Sequence, residues 1–327
     1  VKTGSFKKVR TVAVAVLLIA SFTVTDASAA VALDTLGQFL TSHGYGGAQL
    51  VHPDNYYRLP INTNGKAGHL IVDTGAPSAL IYRECLAKFG LTETKTEEKV
   101  IGAFGSGAET LGLTHIALLA IGNCTLINVP AAVASDQQSG LYRQYGSADG
   151  FFGLREMLKY GAVLDLGHRL VYLNPGGRSS SVSPNAKAIL TGGGYTAIEL
   201  RYAHGHLYAN GSVNGAPCTF IVDTGAFVTL LDTKMARLAR IGGARTEVTA
   251  HGLGSSGGEV LAARFPSLKV GAYEIKNASA AVTNIDPRIT KTDTDTSAGG
   301  LLGIEYLAKN SAIFDFNSNT LYLRERK

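Results

Sequence analysis

The feature that most constrains this chain is an internal repeat. "HLIVDTGAPSALIY" at 69–82 returns as "TFIVDTGAFVTLLD" at 219–232, an offset of 150 residues. The same offset carries "DGFFGLREMLKYGAVLDLGHRLVYL" from Asp149 onto "GGLLGIEYLAKNSAIFDFNSNTLYL" from Gly299, and glycine-rich "GAFGSG" at 102 onto "GLGSSGG" at 252. Three blocks in one register mean two copies of a whole lobe rather than a chance pair of short motifs. The chain of 327 residues is long enough for each copy to bury a core of its own.

Between the copies, "NPGGRSSSVSPNAKAILTGGG" at 174–194 has the proline, glycine and serine content of a linker. The first lobe is therefore expected at 56–173 and the second at 195–327, with 30–55 a segment of undefined role: a propeptide, an extra strand or a tail. Each lobe reads as mostly β. "HLIVDTG" and "TFIVDTG" are β-branched runs that break at a glycine. Helices are expected over "YRECLAKF", stopped by Gly90, over "DTKMARLARI", stopped by Gly242, and over "LREMLKY" and "IEYLAKN". "AVLDLGHRLVYL" and "AIFDFNSNTLYL" read as hairpins, with Asp165 and Asp315 as their strand or turn acids.

The formal charge of +5 hints at a nucleic-acid partner until its location is read. Lys2, Lys7, Lys8 and Arg10 precede the apolar run "TVAVAVLLIASFTV" and the small residues "DASAA", the pattern of a secretory signal over 1–29 with a cleavage site at Ala27-Ser28-Ala29. Its removal takes four positive charges and Asp26, leaving +2. The basicity is thus mostly a targeting signal, and the expected location is periplasmic or secreted, with no nucleic-acid partner. The apolar run is shorter than the roughly 20 residues of a spanning helix, so no stable membrane span is expected after cleavage.

Cys85, Cys124 and Cys218 match no zinc or redox spacing and allow at most one bridge. No pair among the eight histidines has ligand spacing, His204 and His206 included, and no metal or cofactor is expected. "GLGSSG" satisfies the dinucleotide fingerprint, and Gly254 to Gly258 satisfies G-x-S-x-G. Both motifs need a helix to follow, whereas "GEVLAARFPSLKVGAYEI" reads as strand, and the repeat partner keeps neither.

An apolar strand ending in Asp-Thr-Gly, a glycine-rich hairpin, and an apolar-apolar-Gly strand leading to a helix and hairpin resemble the pepsin and retroviral protease superfamily. The resemblance covers nearly all of 56–327. More narrowly, each copy is similar to the retropepsin-like lobes of bacterial aspartyl proteases, since Ala76 and Ala226 stand where pepsins place serine or threonine. It implies two β-barrel lobes in a bilobal pseudo-dimer with a cleft between them, and an aspartic endopeptidase acting on peptide or protein substrates.

Asp73 and Asp223 would be its catalytic pair. Two carboxylates about 3 Å apart cannot both ionise, so one serves as base and the other as acid. Thr74 and Thr224 would lock the two loops together. Gly75 and Gly225 would let the backbone approach the carboxylates, with glycine required for its torsional freedom. Gly153 and Gly303 would support the loops from beneath. Gly102, Phe104, Gly105, Gly252 and Gly254 would lie in flaps over the substrate, and Tyr142 and Tyr145 are candidate cleft residues. The flap tyrosine typical of pepsins has no evident counterpart. A monomer with intramolecular lobe pairing is expected; a homodimer pairing like lobes and a non-catalytic peptide-binding or scaffolding protein are the alternatives.

Overall fold

A computed structural model describes residues 27–52, 56–101, 108–134, 148–250, 258–290 and 298–325. The first copy contains strands β1 (Gly46–Gln49), β2 (Arg58–Thr63), β3 (Lys66–Val72), β4 (Leu80–Tyr82), β5 (Thr94–Ile101), β6 (Ala108–Ile121), β7 (Cys124–Ala134), β8 (Gly150–Phe152), β9 (Val163–Asp165) and β10 (Leu170–Leu173). The second contains β11 (Thr196–Glu199), β12 (Arg201–Ala203), β13 (His206–Val213), β14 (Ala216–Val222), β15 (Leu230–Asp232), β16 (Ala244–Ala250), β17 (Gly258–Val270), β18 (Tyr273–Thr283), β19 (Gly300–Leu302), β20 (Ile313–Asp315) and β21 (Thr320–Leu323).

Each lobe is a closed barrel. In the first, the order β2-β3-β8-β4-β7-β6 returns to its start through Asn62 opposite Ala120 and Thr63 opposite Leu119. In the second, β13-β14-β19-β15-β18-β17 returns through Gly211 opposite Val270. Closure leaves the barrel strands without free edges. The turns entering β3 and β14 are Asn64-Gly65 and Asn214-Gly215, all four residues at positive φ (53°, 76°, 49° and 82°). That is the two-residue hairpin geometry that Asn-Gly favours, and it sets the register of the strands carrying both aspartates.

A third sheet joins the lobes. Its order is β1-β10-β9-β20-β21-β11, and the central pair, β9 with β20, sets Leu164 opposite Phe314. The helix Ala27–Ser42 and the helix Ser183–Gly192 pack on each other and on this sheet, burying Leu36, Leu40, Ala186 and Leu190 with Val163, Ile313 and Tyr322.

These helices correct one expectation and decide another. The stretch 174–194 is not a bare linker, because Ser183–Gly192 is helical with a proline in its first turn. Residues 30–55 are mostly the same unit in the first copy, a helix followed by a strand that pairs Gly46 with Leu173 through Gln49 with Leu170. The offset of 150 in fact reaches back to Leu40 and Leu190, and to Tyr45 and Tyr195. Residues 1–26, with the apolar run of the expected signal, lie outside the described residues.

Other helices fall where expected, with one difference. Leu86–Phe89 ends at Gly90 in the left-handed conformation (φ 63°). Thr233–Leu238 ends earlier than Gly242: Arg240 takes the equivalent left-handed position (φ 54°), and the Ile241 N–H returns to the Ala236 carbonyl. The repeat register also slips once. Opposite Val133 stands Gly112, and opposite Val282 stands Leu261, so β6 and β7 map onto β17 and β18 with an offset of 149.

Candidate active site

β3 and β14 run parallel to β8 and β19, with Val72 beside Phe152 and Val222 beside Leu302. The Asp73 N–H then bonds to the Phe152 carbonyl and the Asp223 N–H to the Leu302 carbonyl, at 3.1 and 3.0 Å. Beyond each aspartate the chain turns sharply. Asp73 Oδ1 accepts the N–H groups of Gly75 (2.7 Å) and Ala76 (3.1 Å), and Asp223 Oδ1 accepts those of Gly225 (2.8 Å) and Ala226 (3.1 Å).

The loops interlock across the lobe boundary. Thr74 Oγ1 donates to the Val222 carbonyl (2.7 Å) and accepts the Thr224 N–H (2.9 Å). Thr224 Oγ1 donates to the Val72 carbonyl (2.8 Å) and accepts the Thr74 N–H (2.9 Å). Both threonines are buried, so all four bonds are shielded from water.

Gly75 and Gly225 are needed for space rather than torsion. Neither has positive φ. A Cβ on Gly75 would stand 2.5 Å from Asp223 Oδ1, and one on Gly225 would stand 2.5 Å from the Asp73 carboxyl. Each glycine thus admits the carboxyl of the opposite lobe. Gly153 and Gly303 back the loops, since a Cβ would meet the Ser78 backbone at 2.3 Å or that of Val228 at 2.5 Å. The residues that follow hold the loops directly, Leu154 N–H to the Ala76 carbonyl and Ile304 N–H to the Ala226 carbonyl, both 2.8 Å.

Burial raises the pKa of both aspartates above the ordinary carboxylate value. For Asp223 the negative charge of Asp73 adds to burial; for Asp73 the N–H groups of Gly75, Ala76 and Gly225 work against it.

The strands leading to both expected flaps form hairpins, closing at Ile101 opposite Ala108 and at Ala250 opposite Gly258. Gly102, Phe104, Gly105, Gly252 and Gly254 at the tips, and Tyr142 and Tyr145, lie outside the described residues. The three cysteines are buried free thiols; burial pushes Cys85 and Cys218 up to about 12 and Cys124 to about 11. Asp165 and Asp315 hold their hairpin turns, accepting the N–H groups of His168 and Asn317 at 2.9 Å. The half-buried His206 ring packs edge-on against Tyr208. Among the described residues no cluster of metal-binding side chains occurs.

Two β-barrels, each offering one Asp-Thr-Gly loop to a common centre, define a bilobal protein of the pepsin and retropepsin-like fold. A family model for aspartyl proteases matches residues 59–153 and again 209–306, one match to each lobe, and the chain belongs to that family. No curated protein matches it in sequence.

Proposed function

We propose that the protein is an exported aspartic endopeptidase whose catalytic groups are Asp73 and Asp223. The observation that carries this reading is the approach of two half-buried carboxyls, each beside the glycine of the opposite lobe's Asp-Thr-Gly, on matched and interlocked loops. A water between them gives a proton to Asp73 as its oxygen attacks the scissile carbonyl carbon. Asp223 gives its proton to the carbonyl oxygen, forming a tetrahedral diol. Collapse returns a proton from Asp73 to the leaving nitrogen as the C–N bond breaks, and the diol proton goes back to Asp223. The flap hairpins would cover an extended peptide, excluding water and adding strand-like hydrogen bonds.

Both aspartates reside in one chain, which favours a monomer as the active unit over a homodimer. Export is read from the basic, apolar and small-residue segments of 1–29; among the described residues no helix is long and apolar enough to cross a membrane.

The test is digestion of a peptide library by the purified protein across pH, with Asp73→Asn and Asp223→Asn. Each substitution should abolish cleavage while leaving the thermal midpoint close to wild type, and statine peptides should inhibit. Retention of most activity in either variant overturns the shared pair. Peptide binding by the wild type without cleavage at any pH would favour the non-catalytic scaffold.

A further inference from the structure

Two acidic side chains that the proposed chemistry does not use lie directly behind the aspartate loops. Glu156 Oε2 accepts the N–H of Ala79 at 2.5 Å, and Glu305 Oε1 accepts the N–H of Thr229 at 2.6 Å. Ala79 and Thr229 each lie six residues after their lobe's aspartate and are equivalent under the repeat. The two glutamates are not equivalent. Glu156 is the third residue of the helix Leu154–Lys159, whereas Glu305 is the second of the helix Ile304–Lys309.

The neighbouring position exchanges role in the same way. In the first lobe the second helical residue, Arg155, donates from Nη2 to the Pro130 carbonyl on β7 at 2.6 Å. In the second lobe the third residue, Tyr306, donates its hydroxyl to the Ser279 carbonyl on β18 at 2.9 Å. Pro130 and Ser279 correspond under the register of those strands. Both lobes therefore keep the same two ties, a carboxyl on the loop N–H and a donor on the strand carbonyl. They build them from opposite residues.

The ties are expensive to keep. Glu156 has a side chain only 2% exposed, and Glu305 Oε2 is sealed from solvent with no hydrogen-bond partner among the described residues. A buried carboxyl costs stability unless it is paired or hydrogen-bonded; Arg155 Nη2 offsets part of that cost for Glu156 at 2.7 Å, and Glu305 Oε2 has no such partner among the described residues. Two unrelated side-chain orders reaching one arrangement argue that the arrangement itself is what matters.

We propose that Glu156 and Glu305 are positioning residues, each clamping the loop that carries its lobe's aspartate so that the two carboxyls stay in register. This rests on the aspartic-peptidase reading for its kinetic consequence, but not for the clamp. Each loop spans only Asp73 to Ala79 or Asp223 to Thr229, and the glutamate holds its far end together with the Ala132 N–H on the Ala79 carbonyl or the Ala281 N–H on the Thr229 carbonyl, so removing the glutamate loosens that end and with it the aspartate at the near end.

The experiment compares Glu156→Ala, Glu156→Gln, Glu305→Ala and Glu305→Gln with an exchange of order in the first lobe, Arg155→Glu with Glu156→Tyr. Glutamine keeps the acceptor, and the exchanged pair recreates the second lobe's ties in the first. The alanine variants should lose kcat by about tenfold or more, as small misplacements of reacting groups do, with KM within about twofold of wild type. Glutamine and the exchanged pair should recover most of kcat. Hydrogen exchange at the amides of 74–79 and 224–229 should rise in the alanine variants alone. Equal kcat in the alanine and glutamine variants, or loop amides that exchange as in wild type after alanine substitution, would overturn the proposal. A wild type that cleaves nothing would refute the peptidase reading, while amide exchange still decides the clamp.

Discussion

Replacing Thr74 with valine keeps the shape of the side chain and removes only its hydroxyl. The Val222 carbonyl and the Thr224 N–H, both turned into the buried interface between lobes, then lose their partner. Leaving one buried polar group unsatisfied costs about 1–3 kcal/mol, so two cost about 4 kcal/mol. In a chain of this size that lowers Tm by roughly 6 °C. The same change at Thr63 and Thr114 is a matched control, because their hydroxyls are buried with no hydrogen-bond partner among the described residues. Thr63→Val and Thr114→Val should be neutral or slightly stabilising. Thermal unfolding by circular dichroism measures all three, and peptide hydrolysis below the transition shows whether the loosened loops also lose activity. If Thr74→Val melts within about 1 °C of Thr63→Val, a shift worth less than one unsatisfied group, the interlock carries no stability and the reasoning fails.

Gly225→Ala should abolish hydrolysis with a smaller loss of Tm than Thr74→Val, since its methyl would displace the Asp73 carboxyl without opening the threonine bonds; full activity in steady-state assays would show that the carboxyls have more room than the geometry gives them. Ala76→Ser together with Ala226→Ser introduces a hydroxyl donor beside each carboxylate, which favours the charged form and lowers its pKa. The acidic limb of the kcat/KM profile, which reports the free enzyme's carboxyl pair, should move to lower pH. An unmoved limb in an active double variant would show that these alanines do not set it.

Much of this architecture was legible in the repeat. Asp73 and Asp223, the threonines beside them and the apolar-apolar-Gly strands recur at one spacing, and a twofold pattern with one acid per copy already demands that two lobes meet. The period-2 runs and glycine stops located the strands, the short helices and the terminal hairpins, because those features depend on neighbours within a few residues. The Asn-Gly turns at 64 and 214 are equally local signals.

What only the tertiary structure decided depends on groups distant in sequence. The reason for Gly75 and Gly225 is the opposite lobe's carboxyl, about 150 residues away, and no local torsion reveals it. The helices at 27–42 and 183–192 are stabilised by burying a few apolar positions against a sheet assembled from both lobes, so their own sequences, rich in glycine, serine and alanine, read as linker or tail. The clamp of Glu156 and Glu305 is invisible to a search for repeated residues, because the two copies place the glutamate at different positions. A side chain three or four bonds long can reach one backbone N–H from either of two adjacent helical residues, and packing, not register, selects which.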